Sequence, residues 1–112
     1  MDLNKFFLSK TALEDIKNIY VYSLEQWGKV QAEKYVEAIY ADFKLLADNK
    51  KLGKNKYDLP FLLYPSGRHC IVYVIHNAEI VIITVINQLR DIEGFLNEFG
   101  KEFEEEINLL TK

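Results

Sequence analysis

Two apolar runs set the terms for this chain. Cys70-Ile-Val-Tyr-Val-Ile75 and Ile80-Val-Ile-Ile-Thr-Val-Ile86 are dense in β-branched and aromatic residues, a composition that suits pleated strands. Between them stands only His76-Asn77-Ala78-Glu79, short enough for a hairpin. Asn77 tolerates the positive φ that a tight hairpin turn demands, whereas Ala78 is a poorer second residue than glycine, which leaves the turn type open. Cys70, Val72 and Val74 alternate with Ile71, Tyr73 and Ile75, and Val81, Ile83 and Val85 with Ile80, Ile82 and Ile86. Both faces of both runs are therefore apolar, and a strand of that kind is covered on both sides. The hairpin should be the middle of a small sheet, and the rest of the chain must supply the covers.

A chain of 112 residues is expected to form one domain, 1–112, with a core that needs no covalent staples. The single cysteine, Cys70, lies in the most apolar run and reads as a small buried hydrophobe rather than a nucleophile. No stretch approaches the roughly 20 apolar residues that span a bilayer, and the first residues do not resemble a signal peptide. The expected location is cytoplasmic, with no membrane partner. The net charge is −3, and residues 93–112 hold six Glu against two Lys. Such a balance argues against direct DNA binding by the chain alone, which needs clustered Lys and Arg.

Leu3 to Leu8 reads as a short strand at a sheet edge. Thr11-Ala-Leu-Glu14 has the form of a capping box, with Ser9 as a rival cap two residues earlier. Leu13, Ile16, Tyr20, Leu24 and Trp27 then recur at helical spacing, and Gly28 is a natural stop. Ala32, Val36, Ile39, Phe43 and Leu46 form a second stripe, which ends near Asn49. So short a link makes the two helices an antiparallel hairpin. Residues 49–60 are polar and rich in lysine, a solvated loop or a phosphate-facing patch. Phe61 to Tyr64, between Pro60 and Pro65, predicts an edge strand, since proline cannot donate to a ladder. Ile92, Phe95, Phe99, Phe103 and Leu110 return to a helical period, with residues 97–112 as an acidic extension. The order β-α-α-β-β-β-α predicts an α+β domain, with the helical hairpin on one face of a small antiparallel sheet. The other face is left to the C-terminal helix or to a partner, a second copy included.

No metal-binding cluster, phosphate loop or dinucleotide fingerprint is present, and no cofactor is expected. His69 and His76 flank one strand at an odd spacing, which opposes a shared metal. Arg68 and Arg90 are the only arginines. A hairpin brings them to the same end of the sheet, where with His69 they could grip an anion or a carboxylate-rich partner. The competing reading makes His69 a structural residue and pairs Arg90 with Asp91 or Glu93. Tyr20, Tyr22, Trp27, Tyr35 and Tyr40 are many aromatics for so thin a core, and form either its margin or a protein-binding surface, for which Tyr20, Trp27, Tyr35 and Tyr40 are the candidates.

The ordered set of segments resembles the ParE-type toxins of the RelE/ParE superfamily. Leu8-Ser-Lys-Thr-Ala-Leu-Glu-Asp-Ile16, Ile19-Tyr-Val-Tyr-Ser and Trp27-Gly28 are similar to that family's opening. Tyr64-Pro-Ser-Gly-Arg-His-Cys-Ile-Val-Tyr73 is similar to its Gly-x-His-x-Ile-x-Tyr strand, and Val85-Ile-Asn-Gln-Leu-Arg-Asp91 to its closing strand. The resemblance implies a RelE/ParE-like β-α-α-β-β-β core and the toxin half of a type II toxin–antitoxin pair, neutralised by a cognate antitoxin. It implies inhibition of DNA gyrase by binding, as for ParE members, with ribosome-dependent mRNA cleavage, as for RelE members, as the alternative. A third alternative is a non-toxic member that only binds its antitoxin. The chain departs from the family at Leu62 and Leu63, where paired arginines often precede the turn, and in its acidic tail.

Overall fold

The structure, a computed structural model, describes residues 5–110. The chain runs β1 (Phe6–Leu8), α1 (Lys10–Trp27), α2 (Lys29–Asp48), β2 (Leu62–Ser66), β3 (His69–His76), β4 (Glu79–Asn87), α3 (Ile92–Phe99) and α4 (Glu102–Leu110). The strands lie in the order β1-β4-β3-β2. The apolar hairpin is thus the centre of the sheet, as its two greasy faces require. Asn77 and Ala78 at its tip have φ of 52° and 64°, the paired left-handed residues of a type I′ turn.

The edges follow from their residues. β2 carries Pro65 and is an edge strand, and its outer side is partly closed by Lys54, which exchanges backbone hydrogen bonds of 2.9 Å with Leu63. β1 pairs with β4 in parallel, so the sheet is mixed rather than wholly antiparallel. The chain leaves β1 into the helical hairpin and re-enters the sheet at the far edge, instead of turning back on its neighbour. Leu3 and Asn4 of the predicted first strand lie outside the described residues.

One irregularity re-aims half of β4. Val72 faces Thr84 while Tyr73 faces Ile82, so Ile83 is an extra residue, a β-bulge. Beyond it the faces exchange. Val85 joins Ile80 and Ile82 on the hairpin side, and Ile86 joins Val81 and Ile83 on the other. Simple alternation had expected the opposite for Val85 and Ile86.

The hairpin side is filled by Ile39, Phe43 and Leu46 of α2 and by Ala12, Ile16 and Ile19 of α1. The predicted α2 stripe is the observed one. The predicted α1 stripe is rotated: Ala12, Ile16, Ile19 and Ser23 face inward, while Leu13, Leu24 and Trp27 are 51%, 39% and 42% exposed. Small Ala12 and Ser23 let α1 come close to α2 and β4, and larger side chains are left at the margin. The helix cap is Ser9, not Thr11. Its Oγ accepts from Ala12 N–H at 2.9 Å and donates to Ile83 O at 2.6 Å.

The far face is covered by Ile92, Leu96 and Phe103 from the C-terminal segment. That segment is two helices rather than one, broken at Gly100-Lys101, where glycine weakens the helical ladder.

Candidate functional site

The β2–β3 turn meets the end of α1 and the start of α2 at one rim of the sheet. Gly67 makes the turn with φ of 58°, and a Cβ there would lie 2.9 Å from the Tyr35 hydroxyl. Its bareness lets Tyr35 reach the strand. Tyr35 Oη accepts from Arg68 N–H at 2.9 Å and lies 2.7 Å from His69 Nδ1. The hydroxyl thus ties the Arg68 backbone to the His69 imidazole. The ring edge of Tyr35 meets His69 with centroids 5.6 Å apart. From the other side Gln88 N–H donates to Arg68 O, and Gln88 Nε2 donates to Gly67 O and His69 O. The turn is clamped by α2 and by the end of β4 together.

Arg68 then lays its guanidinium over the Trp27 ring, 4.8 Å from the centroid, a cation–π contact. Tyr22 meets Trp27 edge-on at 6.0 Å. The Trp27–Arg68 stack divides two clefts. One, of about 290 Å³, is lined by Asp15, Asn18, Tyr22, His69 and Asn87. The other, of about 470 Å³, is lined by Gln31, Lys34 and Ala38. The stack and Tyr35 border both.

The charges of the first cleft are set by burial. Burial, and then the Arg68 cation, hold the His69 pKa below its ordinary value, so the imidazole is neutral near pH 7. Burial pushes Asp15 upward, against the hydrogen bonds it accepts from Thr84 Oγ1 and Val85 N–H. Those bonds, with the bond from Ser9 N–H to Ile82 O at 2.9 Å, satisfy the edge of β4 that short β1 leaves bare.

Of the residues singled out in the sequence, Trp27, Tyr35, Arg68 and His69 converge. Arg90 shares their end of the sheet but lies over Phe95, 5.4 Å from its centroid, in a different cleft. Its expected ion pair with Asp91 or Glu93 does not form, and Asp91 instead caps α3 through Gly94 N–H. Tyr40 packs on Phe6 and Phe43 at the core margin, and Tyr20 is half-buried outside both clefts. Leu63 is buried in the far-face cluster and Leu62 packs against the hairpin-side one, so neither position presents a side chain to the rim. Tyr22, one of the aromatics singled out on the helices, lines the first cleft, whereas Asp15 and Gln88 were not foreseen. Among the described residues no three His, Cys, Asp or Glu converge as a metal would need, and no helix is long and apolar enough to cross a membrane.

A helical hairpin on one face of a four-stranded mixed sheet, with its anchors gathered at the hairpin's tip, defines a RelE/ParE-like α+β architecture. The chain belongs to the family described as ParE toxin of type II toxin-antitoxin system, parDE, whose model matches residues 6–92. It is 27% identical over 96 residues to Toxin ParE1 of Caulobacter vibrioides, covering 84% of this chain and 99% of that protein. Its fold matches a chain of the chromosomal ParDE TA system from P. aeruginosa with a TM-score of 0.68, at 18% identity, over 76% of this chain and 96% of the other. Family membership makes this chain the toxin of a two-protein system, with a cognate antitoxin as its partner.

Proposed function

We propose that this toxin inhibits DNA gyrase by binding it in the cytoplasm, and that the rim of Trp27, Tyr35, Arg68 and His69 is part of the contact. The observation that carries this reading is the Trp27–Arg68 stack. It sits at an open rim, is contributed by two separate elements, and is fixed from behind by Tyr35 and Gln88. Pre-set aromatic and arginine side chains beside shallow clefts are what binding hot spots are made of. Leu62 and Leu63 are committed to packing, so positive charge for the target comes from Arg68 and neighbouring Lys34. His69 serves here as a neutral positioning group under Arg68.

The test is a supercoiling assay with purified gyrase and toxin. Wild-type protein should block supercoiling, and Trp27→Ala and Arg68→Ala should each weaken the block about tenfold or more, while their circular dichroism stays that of the wild type. Truncation of mRNA in a translation extract, with supercoiling untouched, would replace this reading with the ribosome-dependent nuclease. A chain that harms neither system yet binds its antitoxin would be a non-toxic member.

A further inference from the structure

Leu89 is 96% exposed, against at most 65% for any other large apolar side chain among the described residues. It stands in the link from β4 to α3, and its neighbours there are all engaged. Asn87 Oδ1 accepts from Leu89 N–H at 2.8 Å. Asn87 O accepts from Arg90 N–H at 3.0 Å, which closes a four-residue turn with Leu89 at its third position. Gln88 N–H donates to Arg68 O at 3.0 Å, and its Nε2 donates to Gly67 O and His69 O at 2.9 and 3.1 Å. Arg90 lies over the Phe95 ring, and Asp91 caps α3. Leu89 alone gives its side chain to water.

A single surface leucine is ordinary in a folded protein. Leu89 differs in how it is mounted and where. Turns favour Gly, Pro, Asn, Asp and Ser, and a leucine side chain adds nothing to the bonds of this one. Asn87 faces His69 across the β3–β4 pair, so the Leu89 turn lies beside the turn that carries Arg68. The three bonds from Gln88 join the two turns into one body. An apolar tip is therefore held out at the same end of the sheet as the Trp27–Arg68 stack.

Resting on the reading that this rim meets the target, we propose that Leu89 is the apolar anchor of the contact. It enters a socket on the target protein, lined by hydrocarbon and bordered by carboxylates that receive Arg68 and neighbouring Lys34. An apolar centre inside a polar border is the usual anatomy of a specific interface. Burying a wholly exposed leucine is worth about tenfold or more in affinity. The turn keeps that gain, because a segment already fixed by its own bonds has little freedom left to lose on binding.

Leu89→Ser and Leu89→Met test the anchor, with Leu109→Ser of α4, 65% exposed in the wild type, as the control. Denaturant midpoints of all three should match the wild type, since side chains in water contribute little to folding. Supercoiling inhibition by Leu89→Ser should need about tenfold more protein or beyond. Leu89→Met keeps the hydrocarbon and should stay within about threefold of the wild type. Leu109→Ser should inhibit fully, and the cognate antitoxin should capture every variant alike. Full inhibition by Leu89→Ser, a loss confined to antitoxin capture, or an equal loss in Leu109→Ser would each overturn the proposal. Expression of the same variants in cells without antitoxin separates the anchor from the identity of the target. If the wild type arrests growth and leaves supercoiling untouched, the gyrase reading fails on its own. The anchor is then upheld by loss of arrest in Leu89→Ser and overturned by full arrest. A wild type inert in both assays would overturn both.

Discussion

The two faces of the sheet carry similar apolar side chains and are fastened in different ways. On the hairpin side, α1 and α2 are stitched to the sheet by polar bonds: Ser9 to Ile83, Asp15 to Thr84 and Val85, Asp42 to Ser66, Tyr35 to Arg68 and His69. On the far side α3 and α4 lie on the sheet chiefly through hydrocarbon, with Glu106 as the tie to α1. Burial supplies strength but little direction. Directional bonds fix one arrangement, so the hairpin side is the more rigidly placed of the two covers. The sharpest way to break this contrast is to cut one aromatic from each face. Phe43, fully buried between Phe6 and Tyr40, should cost about 3–5 kcal/mol of global stability when changed to Ala. Phe103→Ala should cost clearly less in denaturant unfolding, because α4 can let go before the rest opens. Equal losses with equal denaturant dependence would mean that both covers belong to one cooperative unit.

The stitching itself comes next in size. Asp15→Ala removes the acceptor for Thr84 Oγ1 and Val85 N–H and should lower stability by about 1.5–3 kcal/mol, the range for hydrogen bonds to a charged group. Asp15→Asn keeps an oxygen in place and removes the charge that burial disfavours, so it should lose less. If the two variants are equally unstable, it is the charge of Asp15 that matters at the β4 edge, not its geometry.

Tyr35→Phe is smaller in stability and more selective in effect. One hydroxyl that serves both Arg68 N–H and His69 Nδ1 is worth about 1 kcal/mol. Its loss frees the turn that carries Arg68, so target inhibition should fall by more than the stability change accounts for. Parallel measurement of unfolding and of supercoiling inhibition separates the two. Proportional losses would make Tyr35 a packing residue only.

The contrast between faces also explains what could be read from the sequence. Uninterrupted β-branched runs placed Cys70–Ile75 and Ile80–Ile86 at the sheet centre, and Pro65 placed β2 at an edge, because these follow from local composition. The bulge at Ile83 left little local mark, since the residues around it are apolar but for Thr84, whose hydroxyl finds Asp15 only in the folded chain. Ala12 and Ser23 escaped the α1 stripe because close approach of a helix selects for smallness, which a hydrophobic pattern does not score. At the rim, Arg68 and His69 were legible as neighbours of a Ser-Gly turn. Their meeting with Tyr35 and Trp27 depends on how far the helical hairpin reaches, a tertiary fact. Asp15 and Gln88 resembled ordinary surface polar residues, and only the short β1 and the tight turn give them work.

The smallest effect expected is a pH dependence set by His69 and Asp15 at the first cleft. His69 is held below its ordinary value of 6.5 by burial and by the Arg68 cation. The unfolded chain therefore takes the proton more readily than the folded one. The stability that neutral His69 provides is complete above pH 6.5 and is lost as the pH falls from there through the lowered native value. Asp15 works in the other direction. Its native pKa is raised above 3.8, so the folded state takes that proton first, and acid relieves the burial of its charge. Starting from pH 7.5, stability should first decline below pH 6.5, and the decline should flatten once Asp15 begins to protonate. His69→Gln should remove the first decline and leave the later relief, and Asp15→Asn should do the reverse. Protonating His69 also places a second cation against Arg68, so target binding should weaken over the same first window. Denaturant midpoints of wild type and both variants across this range check the assignment. A decline that survives His69→Gln unchanged would move the titrating group away from the rim.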